Sequence, residues 1–230
     1  MTTLLVLGSK PDPALPPASG FDDVACANAS GYSAARLGLP VPAFTLISAI
    51  LTSGIGSGRQ SLQAMHGLET EVLYYFPRPQ KRRKLLKRPL GLVQDFRTGP
   101  YYFRRRLHKA SYTWRHFVRH DHDWYRALAT KLCQGDAALQ AQLGSKSPST
   151  GIMTLVVGMS LGVYDRYILS GFSFELTHAY ADNPEIDARG TRISRHTPTD
   201  VSLLGHLSRT RGDIFTTEPV VHEHTGVPLL

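Results

Sequence analysis

Short apolar runs that end near glycine, serine or asparagine recur along this chain, and they constrain its fold more than any other feature. Six runs have the length and apolar content of buried strands: residues 3–7, 24–28, 43–47, 70–76, 166–170 and 213–217. The segments between or after these runs include three that have the length or apolar spacing of helices, at residues 58–66, 148–161 and 201–211. Strands and helices that alternate in this way predict an α/β fold, with a Rossmann-like, mostly parallel central sheet flanked by helices.

The composition is that of one globular domain. The 230 residues, 42% of them hydrophobic, are enough to bury a core, so we expect a single domain over residues 1–230. No apolar run reaches the roughly 18 residues that a transmembrane helix needs, and residues 3–7 are expected to form a strand rather than a signal peptide. Cys26 and Cys133 are too few for a disulfide framework or a zinc site. A reducing cytoplasm is therefore the expected compartment.

The formal net charge of +8 is concentrated in one segment. Residues 78–120 contain 14 of the 26 Lys and Arg residues, with Asp95 as their only acid, whereas the rest of the chain has 12 basic and 17 acidic side chains. Prolines interrupt the first part of this segment, and Tyr112 to Leu132 have helical spacing. We therefore expect residues 77–133 to form a basic helical and loop insertion that acts as a lid or contacts a membrane.

Three interpretations of the basic residues 78–120 are open. They could lie on anionic lipid, with neighbouring aromatic and leucine side chains in the interface. They could bind nucleic acid through phosphate contacts and base stacking. They could also form a solvated insertion without a partner.

One stretch in the C-terminal half has the features that indicate chemistry. Residues 149–151 (Ser-Thr-Gly) precede an apolar helix, and a buried strand ends at residues 170–171 (Ser-Gly). Helix N-termini attract anions through free N–H groups and the helix dipole, and open α/β sheets bind ligands beyond the ends of their strands. His196 comes shortly before Thr199-Asp200, which we expect to cap a helix over 201–211. These features favour an enzyme that acts on a phosphorylated substrate.

An ordered set of motifs resembles the bacterial sialyltransferases, which use a CMP-activated sugar and have a single-domain variant of the A-type glycosyltransferase fold. The motifs of this chain that carry the resemblance are Leu5–Gly8 with the turn to Pro11, Val24–Asn28, Leu68–Leu73, Ser149–Ile152 with Leu161-Gly162, Leu169–Phe174, Tyr180-Ala181, and His196–Asp200. In that family these positions hold the phosphate-facing first loop, the Cys-Asn strand end, the Thr-Ser-Gly helix start, the Leu-Ser-Gly-x-Asp-Phe strand end, a tyrosine and a histidine.

The resemblance implies a role for each matching residue. The nucleotide-binding set is Gly8, Ser9, Lys10, Asn28, Ser149, Thr150, Gly151, Ser170 and Gly171. Tyr180 corresponds to a phenol that hydrogen-bonds the leaving phosphate, and His196 corresponds to the general base that deprotonates the acceptor hydroxyl. A CMP donor has one phosphate, so neither a divalent metal nor another cofactor is expected. The implied reaction is a single displacement with inversion, to a hydroxyl of a glycan or glycolipid acceptor.

Two positions depart from the family pattern. The first loop lacks the family's asparagine and second glycine, and Lys10 is the residue there that could reach a phosphate instead. The family's second phosphate-directed tyrosine falls on Glu175. A carboxylate at that place could stay protonated, bind the acceptor, or attack the anomeric carbon. With Glu175 or Asp182 as the nucleophile, the chain would be a retaining enzyme with Kdo as the sugar, as in the related Kdo transferases.

The remaining expectations concern partners. A lipid-linked acceptor favours an anionic membrane surface over nucleic acid for residues 78–120, and a cytoplasmic protein at the periphery of the inner membrane. A non-catalytic protein that binds nucleic acid or membrane on a degenerate form of the fold is the hypothesis from another class. Asp121-His-Asp123 resembles the metal-binding Asp-x-Asp motif of other A-type glycosyltransferases, but it lies within helical spacing, so no metal site is expected there.

Overall fold

The computed structural model describes residues 1–53, 58–78, 95–176 and 193–230, and within them seven strands form one sheet. The strands are β1 Thr3–Leu7, β2 Asp23–Ala27, β3 Phe44–Ser48, β4 Glu69–Phe76, β5 Thr113–Arg119, β6 Arg166–Ser170 and β7 Ile214–Thr216. Their order is β5-β4-β3-β2-β1-β6-β7, and every neighbouring pair is parallel. The predicted α/β fold with a parallel central sheet is confirmed.

Helices cover the sheet. In the described part of the chain they are α1 Gly31–Arg36, α2 Gly58–Ala64, α3 Pro100–Lys109, α4 His122–Leu132, α5 Ala137–Ser145, α6 Thr150–Leu161, α7 Thr197–Thr210 and α8 Pro219–Thr225. Because both faces of the central strands are covered, all five residues of β1 are buried, as is typical of parallel sheets. None of the helices in the described ranges is long and apolar enough to cross a membrane.

Helix α6 is deeply buried against the centre of the sheet. Residues 152–158 are all buried, and the helix packs across β1, β2 and β3. Gly158 permits this close packing, because a Cβ at this position would lie 2.6 Å from Leu4 Cδ2. The N-terminus of α6 is thereby held near the carboxyl ends of the central strands.

The chain changes direction across the sheet between β1 and β6. Strands β2 to β5 extend from one side of β1, whereas β6 and β7 lie on the other side. The carboxyl ends of β1 and β6 remain in contact, since Gly8 N donates to Ser170 O at 2.8 Å. Ligands of open α/β sheets bind at such a switch point, so we expect a ligand site beside the loops after β1 and β6.

The prediction of a helix from Tyr112 to Leu132 is wrong for the first part of this range. Residues 113–119 form β5, which pairs with β4 in a register that places His116 beside Val72 and Phe117 beside Leu73. The aromatic and β-branched residues of this run suit an edge strand, and apolar spacing over so short a run does not distinguish a strand from a helix.

The described part of the basic segment is built into the fold. Helix α3 buries Phe103 and Leu107 in the cluster formed with β3 and β4, and α4 buries Tyr125 in the main core. Residues 95–133 thus contribute an edge strand and two packed helices. Residues 79–94, which contain six of the 14 Lys and Arg residues of the segment 78–120, lie outside the described residues.

The predicted start of helix α7 is also wrong. The helix begins at Thr197 with His196 at its N-cap position, four residues before the predicted start, and Pro198 fits its first turn. Asp200 therefore lies inside the first turn and is not a cap. Its carboxylate instead accepts a hydrogen bond from Ser149 N at 2.8 Å, across to α6.

Candidate active site

A cavity of about 160 Å³ lies at the carboxyl ends of β1, β2 and β6. Eight of the residues predicted for the site line it: Gly8, Ser9, Asn28, Ser149, Thr150, Gly151, Gly171 and Glu175. These residues come from four separate parts of the sequence. The sheet brings them together because parallel strands end at the same edge.

The loops after β1 and β6 approach each other so closely that glycine is required. A Cβ on Gly8 would overlap the carbonyl oxygen of Gly171. Gly171 itself has a φ of +74°, in the left-handed region that favours glycine, and its carbonyl accepts from Lys10 N at 2.9 Å. The two loops therefore form one backbone-to-backbone wall of the cavity.

The N-terminus of α6 forms a second wall. Ser149 caps the helix by accepting from Ile152 N at 3.3 Å, as its residue type predicts. Its own amide and hydroxyl are both hydrogen-bonded to Asp200. The amides of Thr150 and Gly151 remain as first-turn donors for which the described ranges supply no partner. Such donors, together with the helix dipole, suit an anion.

Gly151 is fixed by packing. A Cβ on this residue would lie 2.8 Å from Cε1 of Phe172, the residue that follows Gly171. The helix N-terminus thus rests directly on the loop after β6. This contact explains why glycine follows the Ser-Thr pair.

Asp200 is the main residue of the cavity wall that sequence reasoning missed. Its side chain is only 4% exposed, and it lines the cavity. Burial raises the pKa of its carboxyl from 3.8 to about 7, although the hydrogen bonds from Ser149 and the nearby Lys146 ammonium oppose this rise. A Thr-Asp pair at a helix start is usually a cap, so no sequence signal distinguished this role.

Asn28 offers an amide to the cavity. It begins a short 3₁₀ helix over Asn28–Ser30 with a φ of 55°, and its Oδ1 accepts from Ser48 N at 3.0 Å. With Oδ1 engaged, the group that it can offer to a ligand is Nδ2, a hydrogen-bond donor. Asn28 therefore both holds the turn after β2 and presents a donor to the site.

His196 lies at the edge of the site rather than in the cavity lining, where its neighbours Ser194 and Asp200 are found. Its Nδ1 is 3.0 Å from the carbonyl oxygen of Ser147. A carbonyl only accepts, so Nδ1 carries the hydrogen and Nε2 is the basic nitrogen of the neutral ring. Burial lowers the pKa of His196, and the charges of Lys146 and Arg195 add to this lowering, whereas the hydrogen bond to the Ser147 carbonyl opposes it.

Ser147 also contacts His122, which lies in the wall of a second, larger cavity. The Ser147 hydroxyl is 3.0 Å from Nε2 of His122. His122 lines a second cavity, of about 1010 Å³, at the carboxyl ends of β4 and β5, together with Arg78 and Arg119. His196 is thus linked, through Ser147, to the wall of a space large enough for an extended substrate.

Two predicted residues point away from the cavity. The Lys10 ammonium is 2.6 Å from Oε2 of Glu218, a carboxylate that sequence reasoning did not single out. The Ser170 hydroxyl is fully buried and donates to Ala14 O at 2.6 Å. Neither side chain lines the cavity, so both help to shape the loops rather than face the space between them.

Glu175 is exposed and lies at the rim of the cavity, in an isolated antiparallel bridge with Ile193. Tyr180 and Asp182 lie outside the described residues, so their predicted roles stay predictions.

The charges around the cavity are unusual for an anion site. Among the described lining residues there is no Lys or Arg, and there are two acidic side chains, the exposed Glu175 and the buried Asp200. The described ranges also hold no group of three or more His, Cys, Asp and Glu side chains placed to share a metal ion. In the Asp-x-Asp sequence, Asp121 caps α4 and Asp123 pairs with Arg126 at 2.6 Å.

Known proteins resemble this chain in fold. No protein-family model and no curated protein matches the chain. Its parallel seven-stranded sheet is, however, the fold of bacterial sialyltransferases, as the motif resemblance predicted.

Three solved structures illustrate the likeness. CstII from Campylobacter jejuni, in complex with a substrate analogue, cytidine-5'-monophosphate, has a TM-score of 0.55 and 16% identity over 100% of this chain and 85% of that chain. Cst-II in complex with a trisaccharide acceptor and CMP has a TM-score of 0.51 and 15% identity over 98% and 86%. The monofunctional alpha-2,3-sialyltransferase Cst-I from Campylobacter jejuni has a TM-score of 0.52 and 13% identity over 100% and 81%. At this identity the likeness establishes the fold.

Proposed function

We propose that this chain is a metal-independent glycosyltransferase that transfers an acidic sugar, sialic acid or a similar one, from a CMP-sugar to a glycan hydroxyl. One observation carries the proposal: the cavity at the β1–β6 switch point is lined by the α6 N-terminus and the Asn28 amide, in a fold shared with CMP-bound sialyltransferases. The amides of Thr150 and Gly151 suit the single phosphate of a CMP ester.

The proposed reaction is an inverting displacement. The acceptor oxygen attacks the anomeric carbon, the bond from that carbon to the phosphate oxygen breaks, and CMP leaves with the bonding electron pair. Nε2 of His196 takes the acceptor proton, since Nδ1 is held by Ser147 and the lowered pKa keeps the ring neutral near pH 7. Tyr180 is proposed to hydrogen-bond the departing phosphate. The acceptor is proposed to occupy the larger cavity beside His122.

Calorimetric titration with CMP, UDP, GDP and AMP tests the nucleotide. We expect CMP to bind with a clear preference, and equal binding of all four, or none, would refute the proposal.

Replacement of His196 tests the base. His196→Ala should still bind CMP but lose donor hydrolysis and sugar transfer, because the acceptor or water is no longer deprotonated. His116→Ala, an exposed histidine on β5, is the matched control and should retain activity. Full transfer by His196→Ala would remove the histidine from the mechanism, and unchanged function together with no CMP binding would favour a non-catalytic protein on this fold.

A retaining mechanism is the second candidate, because Glu175 lies at the cavity rim with an exposed carboxylate. In that mechanism Glu175 attacks the anomeric carbon, CMP leaves, and the glycosyl-enzyme ester is then opened by the acceptor. A sugar adduct on Glu175, detected by mass spectrometry after rapid quenching with the donor, would establish it. A product with inverted anomeric configuration and no adduct would exclude it. Asp182 enters the same experiment as the alternative attachment point.

Contact with anionic membrane is proposed for the outer face of α3. Tyr101 is 69% exposed and stands beside the exposed Arg104, Arg105 and His108, while the opposite face of the helix is buried. Each basic side chain near an anionic surface contributes about 1 kcal/mol of attraction. The double replacement Arg104→Glu and Arg105→Glu should therefore abolish sedimentation with anionic vesicles. Binding to nucleic acid at matched salt, with none to vesicles, would contradict the proposal and favour the nucleic-acid interpretation.

A further inference from the structure

Glu218 is the most completely buried carboxylate in the described part of the chain, and the mechanism above does not use it. It follows β7 at the N-cap position of α8, and its side chain is only 1% exposed. A buried carboxylate is costly unless hydrogen bonds and an opposite charge compensate it. The partners of Glu218 are therefore informative.

The three partners of its carboxylate lie in the loops after β1 and β6, which form the cavity wall. Oε1 accepts from the amide of Ala14 at 3.0 Å and from the amide of Gly171 at 2.9 Å. Oε2 accepts from the Lys10 ammonium at 2.6 Å. One carboxylate thus binds the loop after β1 twice and the loop after β6 once.

Further contacts make this arrangement rigid. The Glu218 amide donates to Thr216 Oγ1 at 3.1 Å, which holds the residue at the end of β7. Ala14 O accepts from the hydroxyls of both Ser170 and Thr217. The loops after β1, β6 and β7 are therefore joined at one point, and Gly171, which takes part in this junction, lines the cavity.

We propose that Glu218 is a positioning residue for nucleotide binding, and that Lys10 acts as its counter-ion rather than as a phosphate ligand. By holding the Ala14 and Gly171 amides, Glu218 keeps Gly8 and Gly171 in the close contact that shapes the wall facing the phosphate. Such preorganisation raises affinity because the loops need not be ordered on binding. This inference rests on the proposed binding of a CMP-sugar in the cavity.

Lys10 has the geometry of a compensating charge. Its ammonium contacts Oε2, whereas the two backbone amides contact Oε1. The positive charge of Lys10 thereby compensates the negative charge of a buried side chain. Freeing Lys10 would give the site a cation, at the cost of an uncompensated buried carboxylate. The two roles of Lys10 therefore predict different responses when the Glu218 charge is removed: little change in CMP affinity for a counter-ion, and tighter CMP binding for a phosphate ligand.

The experiment compares Glu218→Gln, Glu218→Ala and Glu223→Gln. Glutamine keeps an oxygen that accepts from the two amides, alanine removes it, and Glu223 is an exposed glutamate of the same helix that serves as the control. The Kd values of CMP and of cytidine, which lacks the phosphate, are measured below the unfolding temperature of each variant. Glu218→Ala should raise the Kd of CMP by about tenfold or more, as for the loss of charge-assisted hydrogen bonds, and raise that of cytidine much less. Glu218→Gln should change the Kd of CMP by less than about threefold, and Glu223→Gln should not change it.

Several results would overturn the inference. Tighter CMP binding by Glu218→Gln would show that Glu218 withholds Lys10 from the phosphate. Equal losses for CMP and cytidine in Glu218→Ala would show a general structural defect. Lys10→Met should weaken CMP binding less in the Glu218→Gln background than in the native one, and an equal loss in both backgrounds would make Lys10 a direct ligand.

A measurement without nucleotide separates this inference from the proposed function. Hydrogen exchange of peptides that contain Ala14 and Gly171 should accelerate in Glu218→Ala and stay close to native in Glu218→Gln. If native protein bound no CMP, the proposed function would fail and this exchange pattern would still decide whether Glu218 holds the loops. Unchanged exchange in Glu218→Ala would refute the positioning role.

Discussion

Replacing Asp200 by asparagine should change how the stability of this protein depends on pH. The side chain is 4% exposed, and burial raises the pKa of its carboxyl from 3.8 to about 7. Between these two pH values the folded chain keeps a proton that the unfolded chain has released. Stability contributed by protonated Asp200 is therefore fully present below about pH 4 and is lost as the pH rises through about 7.

The size of this loss follows from the difference in pKa. A difference of about 3 pH units, at about 1.4 kcal/mol per unit, sets the loss of unfolding free energy at up to about 4 kcal/mol. Asparagine carries no charge in either state, and its Oδ1 can still accept the hydrogen bond from Ser149 N. The free energy of unfolding of Asp200→Asn should therefore lack this slope, and the variant should gain on the native protein at about 1.4 kcal/mol per pH unit from about pH 5 to 7.

Urea denaturation at intervals from about pH 5 to 8.5 measures both proteins in parallel, and their difference removes the titration of all other groups. Asp123→Asn is the control for exchanging a carboxyl for an amide, because this aspartate is 82% exposed and its replacement removes no buried carboxyl. A difference between Asp200→Asn and native protein that is constant to within about 0.5 kcal/mol, or that shrinks as the pH rises, would refute the reasoning.

The remaining predictions concern the loops, the base and a helix cap. Gly8→Ala should destabilise the protein by about 1–3 kcal/mol and weaken CMP binding, because the new Cβ overlaps the Gly171 carbonyl. In the control Gly144→Ala, in α5, the new Cβ meets nothing within 4 Å, so this variant should not be destabilised. Thermal unfolding and calorimetry measure both variants, and equal stability and equal CMP affinity of the two would show that the overlap is unimportant. The transfer rate should rise with pH along a limb governed by His196, and this limb should lie at lower pH than for an ordinary histidine because burial lowers the pKa of His196. A limb displaced into the alkaline range would contradict His196 as the base. Asp121→Ala should lower the unfolding free energy by about 1 kcal/mol through loss of the α4 cap, without the loss of activity that a metal-binding motif would show.

The fold was predictable because its signals are local. The runs of β1, β2 and β6 are apolar on both faces and end at small or polar residues, so the strands and their parallel arrangement follow from the sequence. The Ser149 cap was predictable for the same reason, since its partner Ile152 is three residues away. The failure at β5 also has a local cause, because Trp114 and Phe117 are three residues apart, the spacing of one helix face, although both lie in a strand.

The cavity was predictable in part. Residues 149–151 are adjacent in the sequence, and the motif resemblance placed them near the residues that follow β1, β2 and β6. Asp200 and Glu218 were not predictable, because their partners are 51 and 47 or more residues away and no local pattern marks a buried carboxylate. Lys10 was named as a residue that could reach a phosphate because its loop resembles the family's phosphate-facing first loop, and its partner Glu218, 208 residues away, is not marked by any local pattern.

By itself, the sequence determined the α/β class, the positions of six of the seven strands and the residues that begin α6, since each depends on residues within one short segment. Only the tertiary structure decided what the charged groups around the cavity do. Lys10 and Glu218 are 208 residues apart in the chain and 2.6 Å apart in space, and Asp200 acquires its raised pKa only when α7 is packed against the start of α6. Burial and ion pairing depend on the distance between side chains in the folded molecule, and that distance does not exist before the sheet is assembled.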